Sequence, residues 1–460
     1  MTSRTPNLRL RSLLDETGWT GPEFARAVNE EGRRSAVPTR YDRTAVAHWL
    51  GGARPREPIR ELICRVLSRQ LRRPVRPVDI GMGTPAAPGP ATATLPEQLH
   101  RLARPGASGH RALRQLPYSP EPSLPELGRA GLPPADRSER IGSDHVRGAE
   151  LMVTLFAEAD EVFGGARARP ALAAHLASDV AVRLRCPGSA TVSRAYRRAS
   201  ADLAYLAGFM AFDEQLHGAA QAYLRIAAQL SAEARDPVRY ATAVRQMSVQ
   251  AHGLGDRRLA LLLAEAAGRE VRSLPARPAA AVVGQLALAL AGAGRRRSAL
   301  ATLGRAEHLL ERAEGRGTAL GGYHPAAFAH QQAEVLAAVG DLTAACAALT
   351  TSLRLRPARE RRARMLTTAR LADLYLTRGR LELACTTWDL FLDDYPLVSS
   401  GRGDAFFRDL RRRLRSYRRE PIAQRLLVRA GQVTGPSGPR RAGIPHPPGP
   451  RDGPPAGQPQ

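Results

Sequence analysis

Apolar residues fall at three- and four-residue spacing through most of the chain, which is the signature of amphipathic helices. Near the amino terminus Leu10, Leu13 and Leu14 give one buried side to a helix over Asn7–Glu16. Gly18 stands where a left-handed residue stops a helix. Thr20, with Glu23 three residues on, forms a capping box, and Pro22 is tolerated in the first turn. The helix so begun runs to about Asn29 and buries Phe24, Ala27 and Val28. Asp42 caps a third helix, Arg43–Leu50. Its Val46, Trp49 and Leu50 face inward, which turns Arg43, Thr44, Ala47 and His48 outward. Gly51-Gly52 ends it, Arg54 and Arg56 follow on a loop, and Leu62, Ile63, Val66 and Leu67 mark a fourth helix from Ile59 to Leu71.

The pattern breaks at residues 84–143. Eleven prolines between Pro85 and Pro134, mixed with Ala, Gly and Ser, predict a mostly disordered linker with a short helix near Glu97–Leu102. Helical periodicity then returns over residues 144–430. Within it a glycine after an apolar run is followed five residues later by alanine: Gly255/Ala260, Gly294/Ala299, Gly340/Ala345 and Gly379/Ala384. An earlier copy has Gln215 and Ala220 in the two slots. The pattern describes helical hairpins, with glycine allowing close approach at the turn and alanine where the helices cross. "ARLADLYLTRGRLELACTTWDLFLDDYP" resembles the tetratricopeptide repeat, although the glycines stand 39, 46 and 39 residues apart, against roughly 34 in the regular repeat. Five repeats are expected, preceded by a degenerate hairpin around 148–186; unrelated alanine-rich helices in a bundle are the alternative. Residues 431–460, rich in Pro and Gly, cannot pack a core and are expected to be a disordered tail.

"TGPEFARAVN…YDRTAVAHWLGGARPRE" resembles the Cro/lambda-repressor-type (XRE) helix-turn-helix, whose recognition helix ends in Trp before a Gly/Pro turn. That resemblance implies a DNA-binding domain over residues 1–83. Arg43, Thr44, Ala47 and His48 would be its recognition face, with Trp49 structural. Glu31–Tyr41 is a longer connection than the usual three or four residues. It holds Arg33, Arg34 and Arg40, so it either adds a phosphate-contacting loop or alters how the third helix is presented. The whole layout resembles actinobacterial regulators that join such a head to tetratricopeptide repeats.

Charge supports the DNA reading. The chain carries a formal +25, has no lysine, and holds 16 arginines against nine acids in residues 1–83. A GC-rich genome accounts for the missing lysine but not for the excess charge, and arginine's planar fork suits phosphates and guanine edges. Small residues and donors on the outward face of the third helix suit close approach to base edges; Arg54 and Arg56 suit phosphates, and Thr20 and Arg40 complete the DNA-facing set. His48, Arg54 and Arg56 have solvated residues as their plain alternative, and so has the basic run Arg411–Glu420.

Cys64, Cys186, Cys346 and Cys385 are isolated, so neither a zinc site nor a disulfide framework is expected. No P-loop, GxSxG or HExxH occurs, and no enzyme activity, metal or cofactor is expected. Apolar runs such as Ala279–Ala293 fall short of a membrane span, and Leu8–Leu14 is too interrupted for a signal peptide, so a cytoplasmic setting is expected.

The expectation is therefore an all-α transcriptional regulator: a small helix-turn-helix domain, then an α-solenoid of irregular tetratricopeptide-like hairpins. Double-stranded DNA would be one partner, a peptide or protein in the concave repeat groove another, and a homodimer the working state. The rivals are a tetratricopeptide adaptor with a non-reading head, and charge-driven DNA association without sequence preference.

Overall fold

The computed structural model describes residues 7–34, 37–71, 94–104, 116–120, 122–127, 139–313 and 322–433, with short pieces at 75, 77, 79–82 and 113–114. The expected tail beyond Val433 lies outside these residues, as does much of the expected linker. Every element described is helical.

Four helices build the head: α1 (Leu8–Thr17), α2 (Gly21–Arg34), α3 (Arg43–Leu50) and α4 (Ile59–Gln70). Asn7 caps α1 by accepting from the Leu10 amide, and Gly18 closes it at φ +69°. Phe24, Val28, Val46, Trp49, Leu62, Ile63 and Leu67 form the core, joined by Val75, Ile80 and Met82. Asn7 Nδ2 donates to the Ile80 carbonyl and Arg60 to that of Met82, so the chain returns across the head before leaving it.

One boundary differs from expectation. α2 does not stop near Asn29 but continues to Arg34, which shortens the connection to α3 to residues 35–42. An ion pair between Arg34 and Glu30 helps to hold the added turn. Glu31 is buried there and paired with Arg69 of α4 at 2.9 Å.

Beyond the head, α5 (Leu95–Ala103) buries Leu95, Leu99 and Ala103 in the largest hydrophobic core of the molecule. Residues 116–120 and 122–127 also lie against that core through Tyr118, Leu124 and Leu127. A good part of the expected linker is therefore docked chain.

The repeat region opens with α6 (Ser143–Phe163) and α7 (Gly165–His175), which runs on through a π turn to Arg183. Hairpins follow in order. The first pairs α8 (Ala190–Asp213) with α9 (His217–Glu233), the next α10 (Pro237–Gly253) with α11 (Arg257–Gly268). α12 (Ala276–Gly292) pairs with α13 (Arg296–Glu311), α14 (Pro325–Ala338) with α15 (Leu342–Leu355), and α16 (Arg361–Thr377) with α17 (Leu381–Asp394). α18 (Gly401–Leu414) and α19 (Pro421–Gln432) close the row.

The Gly/Ala registers mark the hairpins as expected, but for a different physical reason at the turn. Gly255, Gly294, Gly340 and Gly379 all have φ between +72° and +90°, a conformation costly for residues with a Cβ. A Cβ built on Gly294, Gly340 or Gly379 would meet nothing within 4 Å, so backbone conformation rather than close approach selects glycine. Gln215, in the first copy, takes φ +62° despite its side chain. The five paired alanines are fully buried where the helices cross.

The row of hairpins curls until its ends meet. Arg362 at the start of α16 pairs with Asp160 of α6 at 2.8 Å and lies 4.6 Å above the Phe209 ring of α8. Arg402 of α18 pairs with Asp213 at 2.9 Å, and the Ser399 amide donates to the Phe163 carbonyl at 2.9 Å. Burial pushes the Asp160 carboxyl up to about 7, even with the Arg362 guanidinium beside it.

Closure fills the inner face. Three of the first helices carry stretches with no open side: residues 203–208 of α8, 287–291 of α12 and 365–369 of α16 are buried without interruption. Side-chain amides and hydroxyls satisfy one another there, from Tyr323 to Gln331 at 2.6 Å, Gln331 to Gln285 at 3.1 Å and Gln285 to Ser248 at 3.0 Å. The expected open concave groove is thus occupied by the protein's own side chains. Among the described residues, no helix is long and apolar enough to cross a membrane.

Candidate nucleic-acid interface

α3 begins where Asp42 accepts a hydrogen bond from the Ala45 amide at 3.0 Å, and that bond holds the Asp42 carboxyl below its ordinary value. With the start fixed, the 3.6-residue period determines the rest. Val46 and Trp49 are buried, and Arg43, Thr44, Ala47 and His48 are exposed on the opposite side. Leu50 is half-buried and packs on the same core.

Trp49 is a structural residue. Its ring meets Phe24 edge-on at 6.2 Å and Tyr41 at 5.0 Å, tying α3 to α2 and to the connection between them. That connection is itself pinned. The Asn29 side chain donates to the Tyr41 carbonyl at 2.7 Å and accepts from the Tyr41 amide at 2.8 Å. Gly32 provides the space, because a Cβ there would run into Thr39. The longer connection therefore ends at a fixed point immediately before the Asp42 cap.

The other residues of the expected set are exposed as well. Arg54 and Arg56 stand on the loop after α3, and Arg40 stands on the loop before it. Thr20 is exposed at the start of α2, where its amide and hydroxyl both donate to the Glu23 carboxylate, at 2.8 and 2.7 Å. These two bonds hold Glu23 below the usual carboxylate range. A Cβ placed on Gly21 would lie 3.8 Å from Val46 and 3.9 Å from Arg43, so the Thr20 corner and the first turn of α3 adjoin.

Ion pairing divides the head in two. On the α4 side, Arg60 pairs with Glu57, Arg65 with Glu61 and Arg69 with Glu31. Among the described residues no salt bridge is made by Arg33, Arg40, Arg43, Arg54 or Arg56. Arg33, named in the sequence only as part of the Glu31–Tyr41 connection, joins the set. Together with Arg40 it lines a shallow open cleft formed with Val37, Pro38 and Thr39. The structure places Arg33 on the last turn of α2 and not on a loop.

The second basic run presents a different picture. Arg411, Arg412, Arg415, Arg418 and Arg419 are exposed, while Arg412 pairs with Asp409 and Arg413 with Asp373. Among the described residues, no group of three or more His, Cys, Asp or Glu side chains is placed to hold a metal ion. The four cysteines are buried as free thiols, and burial pushes Cys64 up to about 12.

Comparison with known proteins adds little beyond this. Residues 10–83, the head alone, match the model of the SP15 N-terminal domain. No curated protein matches the chain. Among solved structures, a match is found to a chain of the crystal structure of the APC/C hetero-tetramer Cut9–Hcn1. Identity is 16%, the TM-score is 0.33, and the match covers 62% of this chain and 47% of that one. The chain thus spans about half the length of that relative, and the helical-hairpin description rests on this protein's own geometry.

Proposed function

We propose that the protein is a DNA-binding regulator of transcription whose head reads duplex DNA and whose repeat region holds a protein partner and a second copy of the chain. One observation carries the reading. The face that presents Arg43, Thr44, Ala47 and His48 is exposed and is surrounded by arginines without carboxylate partners among the described residues. Such a surface offers donors to base edges from a narrow helix and cations to the flanking phosphates. Arg40, Arg54 and Arg56, with Arg33, would set the register on the backbone, and Thr20 would flank them. A single small head buries little surface, which is why two copies are proposed. No catalytic step is proposed.

The test is selection of genomic fragments by the purified chain, followed by replacement of Arg43, Thr44 and His48 with alanine. The wild-type chain is expected to retain a subset of fragments, and the triple variant to lose that preference with its thermal midpoint unchanged. Equal retention of genomic and random DNA by the wild-type chain would overturn the reading and leave an adaptor built on the repeats.

A further inference from the structure

Residues 116–127, "LPYSPEPSLPEL", carry four prolines in twelve positions, and 116–120 and 122–127 lie along α9 and the start of α10. The contacts that hold them are mostly to backbone. The Gln221 side chain makes a reciprocal pair with Ser119, donating to its carbonyl at 2.7 Å and accepting from its amide at 2.7 Å. The Tyr240 hydroxyl donates to the Pro125 carbonyl at 2.9 Å, and Arg225 donates to the Ser123 hydroxyl at 3.1 Å. Gly218, on the same stripe of α9 as Gln221 and Arg225, lets the chain lie flat, because a Cβ there would overlap the Leu116 carbonyl. Tyr118, Leu124 and Leu127 are half-buried against the core beneath.

These are the elements by which proline-rich peptides are recognised. Proline lacks an N–H and prefers an extended left-handed helix, so such a segment presents carbonyls along a stiff backbone. Aromatic hydroxyls and amides read those carbonyls, and apolar side chains fill the spaces between. The donors are built into the folded region: Gln221 and Tyr240 are both buried, and Gln221 has its amide committed to Ser119. The rest of the repeat region needs none of these bonds for its own hairpins.

The geometry points to a peptide-binding site on this face, formed by Gly218, Gln221 and Arg225 of α9 with Tyr240 of α10. Its ligand class is an extended, proline-spaced peptide with leucines in the last four positions. Leu116–Leu127 is the resident ligand in cis, and a peptide of the same chemistry on a partner displaces it. This rests on the reading that the repeat region takes a protein partner, and it moves the site from the filled inner face to this one. It is independent of the DNA-binding half of that reading.

The probe is a fluorescein-labelled synthetic peptide with the sequence of residues 116–127, titrated by anisotropy against the full chain. The tethered copy competes in the wild type at millimolar effective concentration, so binding in trans is expected to be weak. In the Leu124→Asp/Leu127→Asp variant the resident segment is loosened, and the peptide is expected to bind at least about tenfold more tightly. Adding Gln221→Ala to that variant should abolish the gain. A loosened variant that keeps the wild-type thermal midpoint yet gains no binding, or gains it regardless of Gln221→Ala, overturns the proposal. Should the loosened variant fail to fold, Gly218→Ala expels the segment from the helix side. The Ser119 amide should then exchange at least about tenfold faster, while α9 amides stay protected. Unchanged Ser119 protection overturns the proposal in that case. Fragment selection measured on the same samples tests the head separately, so the two failures cannot be confused.

Discussion

The head and the repeat region use the same cation in opposite ways. In the repeats, a set of arginines is turned toward neighbouring helices and matched with carboxylates, while others, such as Arg411 and Arg415, stand exposed. Arg169 pairs with Glu214, Arg197 with Glu233, Arg239 with Asp202, Arg362 with Asp160 and Arg370 with Glu334. Two of these, Arg239 with Asp202 and Arg370 with Glu334, cross from one hairpin to the next at separations of 37 and 36 residues. In the head, the arginines around α3 stand in solvent with no such partner among the described residues. Net charge alone therefore locates no function. What distinguishes a binding arginine from a structural one is whether the fold has already supplied its anion.

The largest effect that would break this contrast lies at the clasp between the ends of the repeats. Arg362→Ala leaves Asp160 buried without its main cation, while Asp213 keeps Arg402, and should cost about 3–5 kcal/mol by denaturant unfolding. Arg43→Ala should cost less than about 0.5 kcal/mol. Similar losses from the two would refute the division.

Titration gives the next largest. His330 is half-buried in contact with Thr367, with Glu334, Arg356, Arg370 and Arg402 around it, and desolvation lowers it from 6.5 to about 4. The unfolded chain therefore takes up this proton first as pH falls. The contribution is complete above pH 6.5 and is lost between 6.5 and 4, so the wild type should lose about 3 kcal/mol relative to His330→Gln over that range. Urea midpoints of both proteins at three pH values measure it, and parallel pH dependence would show that His330 is not the titrating group.

On the DNA side the effects are smaller and differ in kind. Arg43→Ala should cost about 1–3 kcal/mol on the preferred fragment and relax the preference at one base position. Arg54→Ala should weaken all fragments alike and reduce the slope of log K against log salt by about one. Competition titrations at two salt concentrations separate the two patterns, and interchangeable behaviour would erase the distinction between reading and positioning.

The smallest effect sharpens the turn chemistry of the repeats. Gly340→Ala should cost about 1 kcal/mol, and Gln215→Gly should gain up to about that amount, since both positions hold positive φ. Thermal midpoints moving in the same direction would rule out backbone conformation as the cause.

How much was legible in the sequence follows from the range of the forces involved. The outward face of α3 was readable because a cap and two apolar anchors lie within eight residues of it. The hairpin registers were readable because glycine and alanine punctuate them locally. The reach of α2 was missed because it depends on Glu31 meeting Arg69 of another helix. The docked proline segment was missed because composition suggested a linker, while its anchor, Gln221, lies 102 positions away from Ser119. The filled inner face was missed for the same reason, since it depends on Arg362 meeting Asp160 across some two hundred residues.

That last contact changes the mechanics of the region. An open stack of hairpins is a spring whose end units fray one at a time, because each is held by a single neighbour. A stack clasped by Arg362 and Arg402 is a hoop, and its last hairpin shields the first. Shortening it by one unit would not leave a slightly smaller spring. It would open a seam on both sides at once, so the hoop should melt as one body, with stability set at the clasp rather than by the number of turns.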